Sequence, residues 1–218
     1  MAIYNRSESP IIEACVESVA EALSCARNGA DRLELCSALD QDGLTPHKTL
    51  LTEVLNQVSI PVKVMIRPRP GDFHYDHKDQ EDIVRDILMC KSLGVSEFVY
   101  GSLKDNRIDM TDLEAFVQHA RPSTLTIHKA IDVSSDPLRD LFMIMRWAEK
   151  QTFPVSILSS GQAPTAIAGA LRLRRMIQLA ADKVEIIVAG KVTHDNLTTI
   201  QTLIPAPAYH GRRICISE

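Results

Sequence analysis

The sequence predicts an α/β fold, a (β/α)8 barrel of the TIM type that lacks its last helix. Short β-branched runs alternate with amphipathic segments about once every 25 residues, which is typical of βα units around a parallel sheet. Eight such runs occur. The 218 residues, 45% of them hydrophobic, suffice for one core, and no linker or shift in composition divides them. We therefore predict a single domain over residues 1–218.

The strands are predicted from these β-branched runs, of which the last has the weakest pattern. Their predicted bounds are 11–16, 32–36, 61–66, 97–101, 124–128, 155–160, 184–189 and 207–216.

Helix N-termini are predicted from capping residues. Ser18–Glu21 and Thr111–Glu114 have the spacing of capping boxes, and Thr45-Pro46 and Asp136-Pro137 place a cap residue before a proline. Seven helices result, because too few residues follow the last strand for an eighth. The surface between the first and seventh helices then needs a cover. A subunit interface, which would make the protein a homodimer or higher homo-oligomer, and coverage by the N-terminal segment or residues 211–218 are both open.

Charge and composition exclude several classes of function. The net charge is -4 and no long run of Lys and Arg occurs, so we expect no nucleic-acid partner. No secretion signal and no run of 18 apolar residues occurs, so we expect neither export nor membrane insertion. The five widely spaced cysteines are interpreted as reduced thiols of a cytoplasmic protein.

Alternation along the strands predicts which side chains face the barrel axis. Val62, Val64 and Ile66 form an apolar set suited to the helices, which leaves Lys63, Met65 and Arg67 to point inward. The same sorting turns further residues inward: Glu13, Cys15, Glu34, Cys36, Thr126 and His128. Because isolated buried charges are costly, Glu13 and Glu34 are expected to pair with Lys63, Arg67 or Arg69.

The predicted site lies at the carboxyl ends of the strands, where enzymes of this architecture carry their chemistry. Candidate acid and base residues are Glu13, Glu34, His128 and Asp132. Candidate anion-binding residues are Arg67, Arg69, Asp72, Lys129, Ser160 and Gly161. For Arg67 and Arg69 the alternative is a rigid turn with surface salt bridges. For His128 it is a core histidine with both nitrogens satisfied, and for Ser160 and Gly161 it is ordinary helix capping.

Cys15 and Cys36 are candidate metal ligands. Each lies two residues beyond an inward glutamate on neighbouring strands, and adjacent strands are about 4.8 Å apart. Both sulfurs could reach one soft ion such as Cu(I), with Met65 as a thioether neighbour. The alternative is that both are inert small hydrophobes.

Several of these segments together resemble the CutC family, described as copper homeostasis proteins. The resemblance rests on NGADRLELCSALDQDGLTP, IPVKVMIRPRPGDFHY, TIHKAID and ILSSGQAPTA, which follow one another in the family's order. It implies the same barrel, a cytoplasmic location, and copper tolerance or Cu(I) binding in which Cys15 and Cys36 match cysteines suspected as ligands. The sequence departs from the family at Lys129, where an arginine is usual, in a shortened turn at 189–191, and in lacking the longer C-terminal portion.

Three functions follow from these observations. The first is a cytosolic copper homeostasis protein that binds Cu(I). The second is a metabolic enzyme with lyase-like or isomerase-like acid–base chemistry on a small anionic or phosphorylated carbonyl compound. The third is a barrel whose catalytic set has decayed into a structural or partner-binding role.

Overall fold

A computed structural model describes residues 9–215, and its core is a closed barrel of eight parallel strands. In chain order the strands are β1 (Ile11–Val16), β2 (Arg32–Leu35), β3 (Val62–Met65), β4 (Glu97–Tyr100), β5 (Leu103–Lys104), β6 (Arg107–Ile108), β7 (Thr124–Ile127), β8 (Val155–Ser159), β9 (Glu185–Val188) and β10 (Ala208–Gly211). All but β5 and β6 belong to the barrel, which closes where β10 pairs with β1. β5 and β6 form an antiparallel hairpin that the sequence did not predict.

Seven α-helices connect these strands within the described residues, so the predicted barrel without its last helix is confirmed. They are α1 (Val19–Arg27), α2 (Lys48–Gln57), α3 (His77–Ser92), α4 (Met110–Ala120), α5 (Pro137–Ala148), α6 (Ala170–Ala180) and α7 (Leu197–Leu203). No helix in the described part of the chain has both the length and the apolar character needed to cross a membrane.

Two of the predicted helix starts are correct. Ser18 caps α1 by accepting from the Glu21 N–H, and Asp136 caps α5 with Pro137 in its first turn. The box at Ser18 is incomplete, because the Glu21 carboxylate accepts from the Glu17 N–H instead.

The other two predicted starts are wrong. α2 begins after His47, whose Nδ1 accepts from Leu50, because Thr45 is held against the end of β3 by hydrogen bonds with the Arg67 backbone. α4 begins after Asp109, whose carboxylate accepts from the N–H groups of Thr111 and Asp112. A carboxylate is as good a cap as threonine, so the cap moves two residues upstream.

The core has an outer and an inner layer, as the strand alternation predicts. Val64 and Ile66 belong to the large apolar cluster between strands and helices, whereas Met65 packs inside the barrel with Cys15, Cys36 and Val99. A second interior group lies on the strands across the barrel: Leu158, Ile187, Ala189 and Ala208. The buried charged residues Glu13, Glu34 and Lys63 are also fully or almost fully enclosed.

Residues 212–215 follow β10, at the point in the chain where an eighth helix would begin. Arg213 pairs with Thr193 ahead of α7, and its carbonyl accepts from the His194 N–H. Ile214 and Cys215 are buried in the outer core, and the Cys215 thiol is hydrogen-bonded to that of Cys25 on α1. Of the two covers considered, the described residues therefore favour the C-terminal segment. Residues 1–8 and 216–218 lie outside the described part.

Candidate functional site

A cavity of about 710 Å³ opens at the carboxyl ends of the barrel strands. Its wall comes from the ends of β1–β3 and β7–β10 and from the loops that follow them. The polar and sulfur-bearing residues in this wall are Cys15, Glu34, Cys36, Asp42, Met65, Arg67, His128, Lys129, Asp132, Lys191, Thr193, His210, Arg212 and Arg213. This location is the one predicted for the site.

Two thiols and a carboxyl group meet at the floor of the cavity. The Sγ atoms of Cys15 and Cys36 are 3.9 Å apart, and Glu34 Oε1 lies 3.8 Å from the first and 3.5 Å from the second. The strand register explains the cluster, because Cys15 on β1 lies directly opposite Glu34 on β2. Cys36 follows two residues later on the same side of the chain. The predicted proximity of the two cysteines is therefore confirmed.

The surroundings give the two thiols different acidities. A hydrogen bond from Cys36 and a second bond with His210 outweigh burial and lower the pKa of Cys15 to about 6. The pKa of Cys36 is raised well above its usual value, since that thiol donates to Cys15 and is buried. Burial also raises the pKa of Glu34 to about 8. At neutral pH the floor therefore holds a Cys15 thiolate beside a protonated carboxyl group.

His210 is a site residue that the sequence analysis missed. Its Nδ1 lies 2.8 Å from Glu13 Oε1, and one of its ring nitrogens lies within 4.8 Å of the Cys15 thiol and a Glu34 oxygen. Burial would lower the pKa of His210, but the charge that Glu34 carries when it is ionised and hydrogen bonds with Cys15 and Glu13 raise it well above its usual value. The alternation along the last predicted strand, with Tyr209 outward and His210 inward, was the available signal.

Glu13 is fully buried and does not line the cavity. Its carboxylate contacts Arg32 Nε at 2.5 Å, Lys63 Nζ at 3.3 Å and His210. Although burial raises the pKa of Glu13, these cations, Lys63 most of all, bring it well below its usual value. The predicted pairing of Glu13 with Lys63 is confirmed.

The predicted pairing is wrong for Glu34. Its contacts are the two thiols, and among residues 9–215 no Lys or Arg nitrogen lies within 4.0 Å of its carboxyl oxygens. Oε2 of Glu34 is buried without a hydrogen-bond partner. Arg32 lies opposite Glu13 in the register, and Lys63, which lies opposite Glu34, places its Nζ against Glu13 instead.

Arg67 and Arg69, which were predicted to bind an anion together, point to different environments. Arg67 lies in the cavity wall, 3% exposed, and donates to the carbonyls of four loop residues: Gln41, Asp42, Gly43 and Gly71. Arg69 lies outside the cavity and pairs with Asp79 at 2.8 Å and Asp72 at 3.1 Å. The structure therefore separates Arg69 and Asp72 from the other candidate residues.

His128 and Lys129 follow β7 at the cavity wall. His128 is 3% exposed, its ring packs at 4.7 Å from Phe73, and its Nδ1 accepts from the Ala130 N–H. Burial and the nearby charge of Arg67 lower the pKa of His128 to about 3, so the ring is neutral at physiological pH. Lys129 is exposed beside it.

Asp132 organises the loop after β8. Its carboxylate accepts from the hydroxyls of Ser159 and Ser160 and from the N–H groups of Ser160 and Gln162. Ser160 and Gly161 do not line the cavity, whereas Asp132 does. Of the candidate residues, the structure therefore brings together Cys15, Glu34, Cys36, Arg67, His128, Lys129 and Asp132.

The residues at the floor fit a soft metal ion. Cys15, Glu34 and His210 offer sulfur, oxygen and nitrogen atoms that all lie within 4.8 Å of one another. Cys36 adds a second sulfur to this set. A buried pair of sulfurs with an imidazole is the type of ligand set that favours Cu(I) over hard cations.

Comparison with known proteins gives a consistent family. A family model described as "CutC family" matches residues 10–213. The human "Copper homeostasis protein cutC homolog" is 35% identical over 201 residues, which cover 92% of this chain and 72% of that protein. A "family protein CutC" of Mesorhizobium japonicum is 33% identical, over 88% of this chain and 73% of that protein.

Solved structures show the same fold. The crystal structure of the putative copper homeostasis protein CutC from Streptococcus agalactiae has a TM-score of 0.86 and 28% identity, covering 94% of this chain and all of that one. Phosphoribosylanthranilate isomerase from Thermococcus kodakaraensis has a TM-score of 0.57 at 14% identity, over 93% of this chain and 87% of that one. The second likeness is one of fold alone.

Proposed function

The chain belongs to the CutC family of copper homeostasis proteins, and from this premise we propose that it binds one Cu(I) ion through Cys15 and Cys36 in the cytoplasm. All five cysteines are free thiols, which suits a reducing compartment. Copper is the cargo in this proposal. The predicted homo-oligomer remains a prediction beside it.

The observation that carries the proposal is the 3.9 Å separation of the two sulfur atoms. Two sulfurs that each bind one ion at a metal–sulfur distance of about 2.3 Å lie at most about 4.6 Å apart. The pair therefore needs only a small adjustment to hold an ion between its members. The lowered pKa of Cys15, to about 6, provides one thiolate at neutral pH.

His210 and Met65 support the same ion. His210 brings a ring nitrogen to the floor of the cavity, which can bind the ion once the ring gives up its extra proton, and Met65 packs in the same interior cluster as both cysteines. Imidazole and thioether groups are both ligands that soft ions accept. Glu34 donates or accepts hydrogen bonds at the sulfurs and so orients them.

An anaerobic Cu(I) titration against a competing chelator tests this function. We expect the reduced protein to hold one ion with a Kd near or below 1 pM, a free energy of roughly 16 kcal/mol, and the Cys15→Ser/Cys36→Ser variant to lose it. Cys90→Ser is the control, because Cys90 is buried in α3 away from the cavity. Equal loss of copper from parent and double variant would overturn the proposal.

A second candidate function, acid–base catalysis on a small anionic carbonyl compound, is favoured by the size of the cavity. One ion occupies a space similar to that of a water molecule, about 30 Å³ in the liquid, whereas the cavity has about 710 Å³. Small-molecule sites span about 300–1,000 Å³. Glu34, protonated at neutral pH because its pKa is about 8, would act as the general acid.

Solvent deuterium exchange tests the second function. Pyruvate and dihydroxyacetone phosphate are incubated with the protein in D2O, and ¹H NMR follows the loss of their carbon-bound protons. We expect Glu34→Gln to abolish any catalysed exchange, and Glu53→Gln, on the exposed face of α2, to preserve it. Exchange no faster than in buffer, for both compounds, would contradict this function.

A further inference from the structure

Arg67 is a buried cation for which the protein provides no carboxylate. Its guanidinium nitrogens Nη1 and Nη2 donate hydrogen bonds to backbone carbonyls, and Nε is buried without a hydrogen-bond partner. No carboxylate oxygen lies within 4.0 Å of it among residues 9–215. The other partly buried arginines differ, since Arg32 pairs with Glu13 and Arg107 with Asp140. A buried charge without a counter-charge is unfavourable, which indicates that an anion completes the site.

His128 presents a second donor without a partner. Because Nδ1 accepts from the Ala130 N–H, the proton of the neutral ring resides on Nε2. That atom is buried and has no hydrogen-bond partner. Phe73 packs against both donor residues. The Arg67 guanidinium lies 4.8 Å from the centre of the Phe73 ring, and the centre of the His128 ring lies 4.7 Å from that of Phe73.

The remainder of the cavity has a cationic mouth and apolar sides. Lys129 and Lys191 are exposed at the wall, and neither has an ion-pair partner in the described chain. Asp132 is the acidic residue nearest to Lys129 in sequence, and both of its oxygens already accept hydrogen bonds from the β8 loop. Val133, Leu158 and Ala189 give the same cavity an apolar surface.

We propose that this cavity binds a small organic carboxylate, whose charge compensates Arg67 and whose oxygens accept from Arg67 Nε and His128 Nε2 once binding opens these two enclosed atoms to the cavity. Two N–H donors and one uncompensated charge match the two oxygens and single charge of a carboxylate. A phosphate dianion carries more charge and three terminal oxygens, which this wall does not satisfy. The apolar sides suit the carbon chain of the ligand, and the lysines at the mouth attract it electrostatically.

This inference rests on the second candidate function for the reaction that the protein would catalyse. It deepens that function by naming the class of substrate. It is independent of copper. Its test measures binding, so that it can succeed when no proton exchange is found.

Calorimetric titration with pyruvate at constant ionic strength, backed by saturation-transfer NMR at millimolar ligand, tests the site. We expect one pyruvate per chain and weaker binding of inorganic phosphate. His128→Asn keeps an acceptor for the Ala130 N–H but loses the Nε2 donor, and we expect at least a tenfold increase in Kd. Lys129→Gln should raise Kd severalfold.

Lys150→Gln is the matched control, because it removes the same charge from an exposed position on the opposite, amino-terminal side of the barrel. Its pyruvate affinity should equal that of the parent. No pyruvate signal by either method would overturn the inference. Tighter binding of phosphate than of pyruvate, or equal affinity in His128→Asn and parent, would overturn it as well.

Discussion

At the residue scale, Glu13 and Glu34 show how neighbours decide the charge of a buried group. They lie on adjacent strands of the same barrel interior, and both are almost completely enclosed. Glu13 is surrounded by three cations, which keep its pKa well below the usual range. Glu34 has only thiols in contact, and burial raises its pKa to about 8. The interior therefore separates a structural carboxylate from a protonated acid that faces the cavity.

His128 makes stability depend on pH. Its pKa is about 3 in the folded protein and about 6.5 in the unfolded chain, so the unfolded state binds a proton first as pH falls. The stability associated with the neutral ring is complete above pH 6.5 and is lost as pH falls toward 3. The free energy of unfolding of the parent should fall by about 2 kcal/mol between pH 7 and pH 5 on account of His128, and His128→Asn should lack this part of the decrease. Urea unfolding at both pH values measures the difference. His77→Asn, at a highly exposed histidine, should follow the parent, and parallel curves for His128→Asn and parent would contradict this expectation.

At the element scale, Arg67 joins the loops after β2 and β3, which form one wall of the cavity. The loop after β2 supplies three carbonyls and the loop after β3 supplies one. Arg69, two residues away, makes its bonds within its own loop and to α3. One arginine therefore connects elements, whereas the other stabilises a turn.

Replacing these arginines by methionine should separate the two roles. Arg67→Met leaves four buried or partly buried carbonyls without their donor, and we expect a loss of about 2 to 4 kcal/mol in the free energy of unfolding. Arg69→Met, at a side chain that is 36% exposed, should lose no more than about 1 kcal/mol. Chemical denaturation of both variants provides the comparison. Equal losses would show that Arg67 is not the link between the loops.

Elements with a strong local pattern could be predicted from the sequence. Each barrel strand ends within one or two residues of its predicted bound, except the last, because buried parallel strands are β-branched and end at loop residues. The β5–β6 hairpin is only two residues long on each side, too short for an alternation to be visible. The cap of α4 was misplaced because Asp109 and Thr111 are both good caps, and only the backbone position decides between them.

The start of α4 can be tested by two single substitutions. Asp109→Ala removes the acceptor of two N–H groups, and we expect a loss of about 1 kcal/mol. Thr111→Ala lies inside the helix, where alanine is the better helix former, and should cost nothing measurable. Thermal unfolding of both variants measures the difference. A larger loss for Thr111→Ala would restore the capping box as the true start.

At the scale of the whole molecule, the site depends on closure of the barrel. Cys15 and Cys36 could be paired from the sequence because β1 and β2 are consecutive, and consecutive strands of such barrels are neighbours. His210 belongs to the last strand, and it reaches Glu13 only because β10 closes onto β1 with these two residues in register. Contacts between the two ends of the chain leave no local pattern in the sequence. The environment of Glu34 was not predicted for a different reason: Lys63 lies opposite Glu34 in the register but places its Nζ against Glu13, which leaves Glu34 with the thiols.

The outer core of the barrel also depends on the segment that follows β10. Ile214 is 2% exposed in the outer core, and Arg213 beside it is paired with the chain ahead of α7. We expect Ile214→Ala to lose about 2 to 4 kcal/mol of unfolding free energy, since it opens a cavity in the outer core. Leu171→Ala, at a leucine that is 78% exposed, is the control and should change stability by less than about 0.5 kcal/mol.

Since this segment lies beside His210, the Ile214 variant should also weaken Cu(I) binding in the chelator competition, whereas Leu171→Ala should leave it unchanged. If Ile214→Ala is as stable as the parent, another part of the chain, or a second subunit, covers this flank of the barrel.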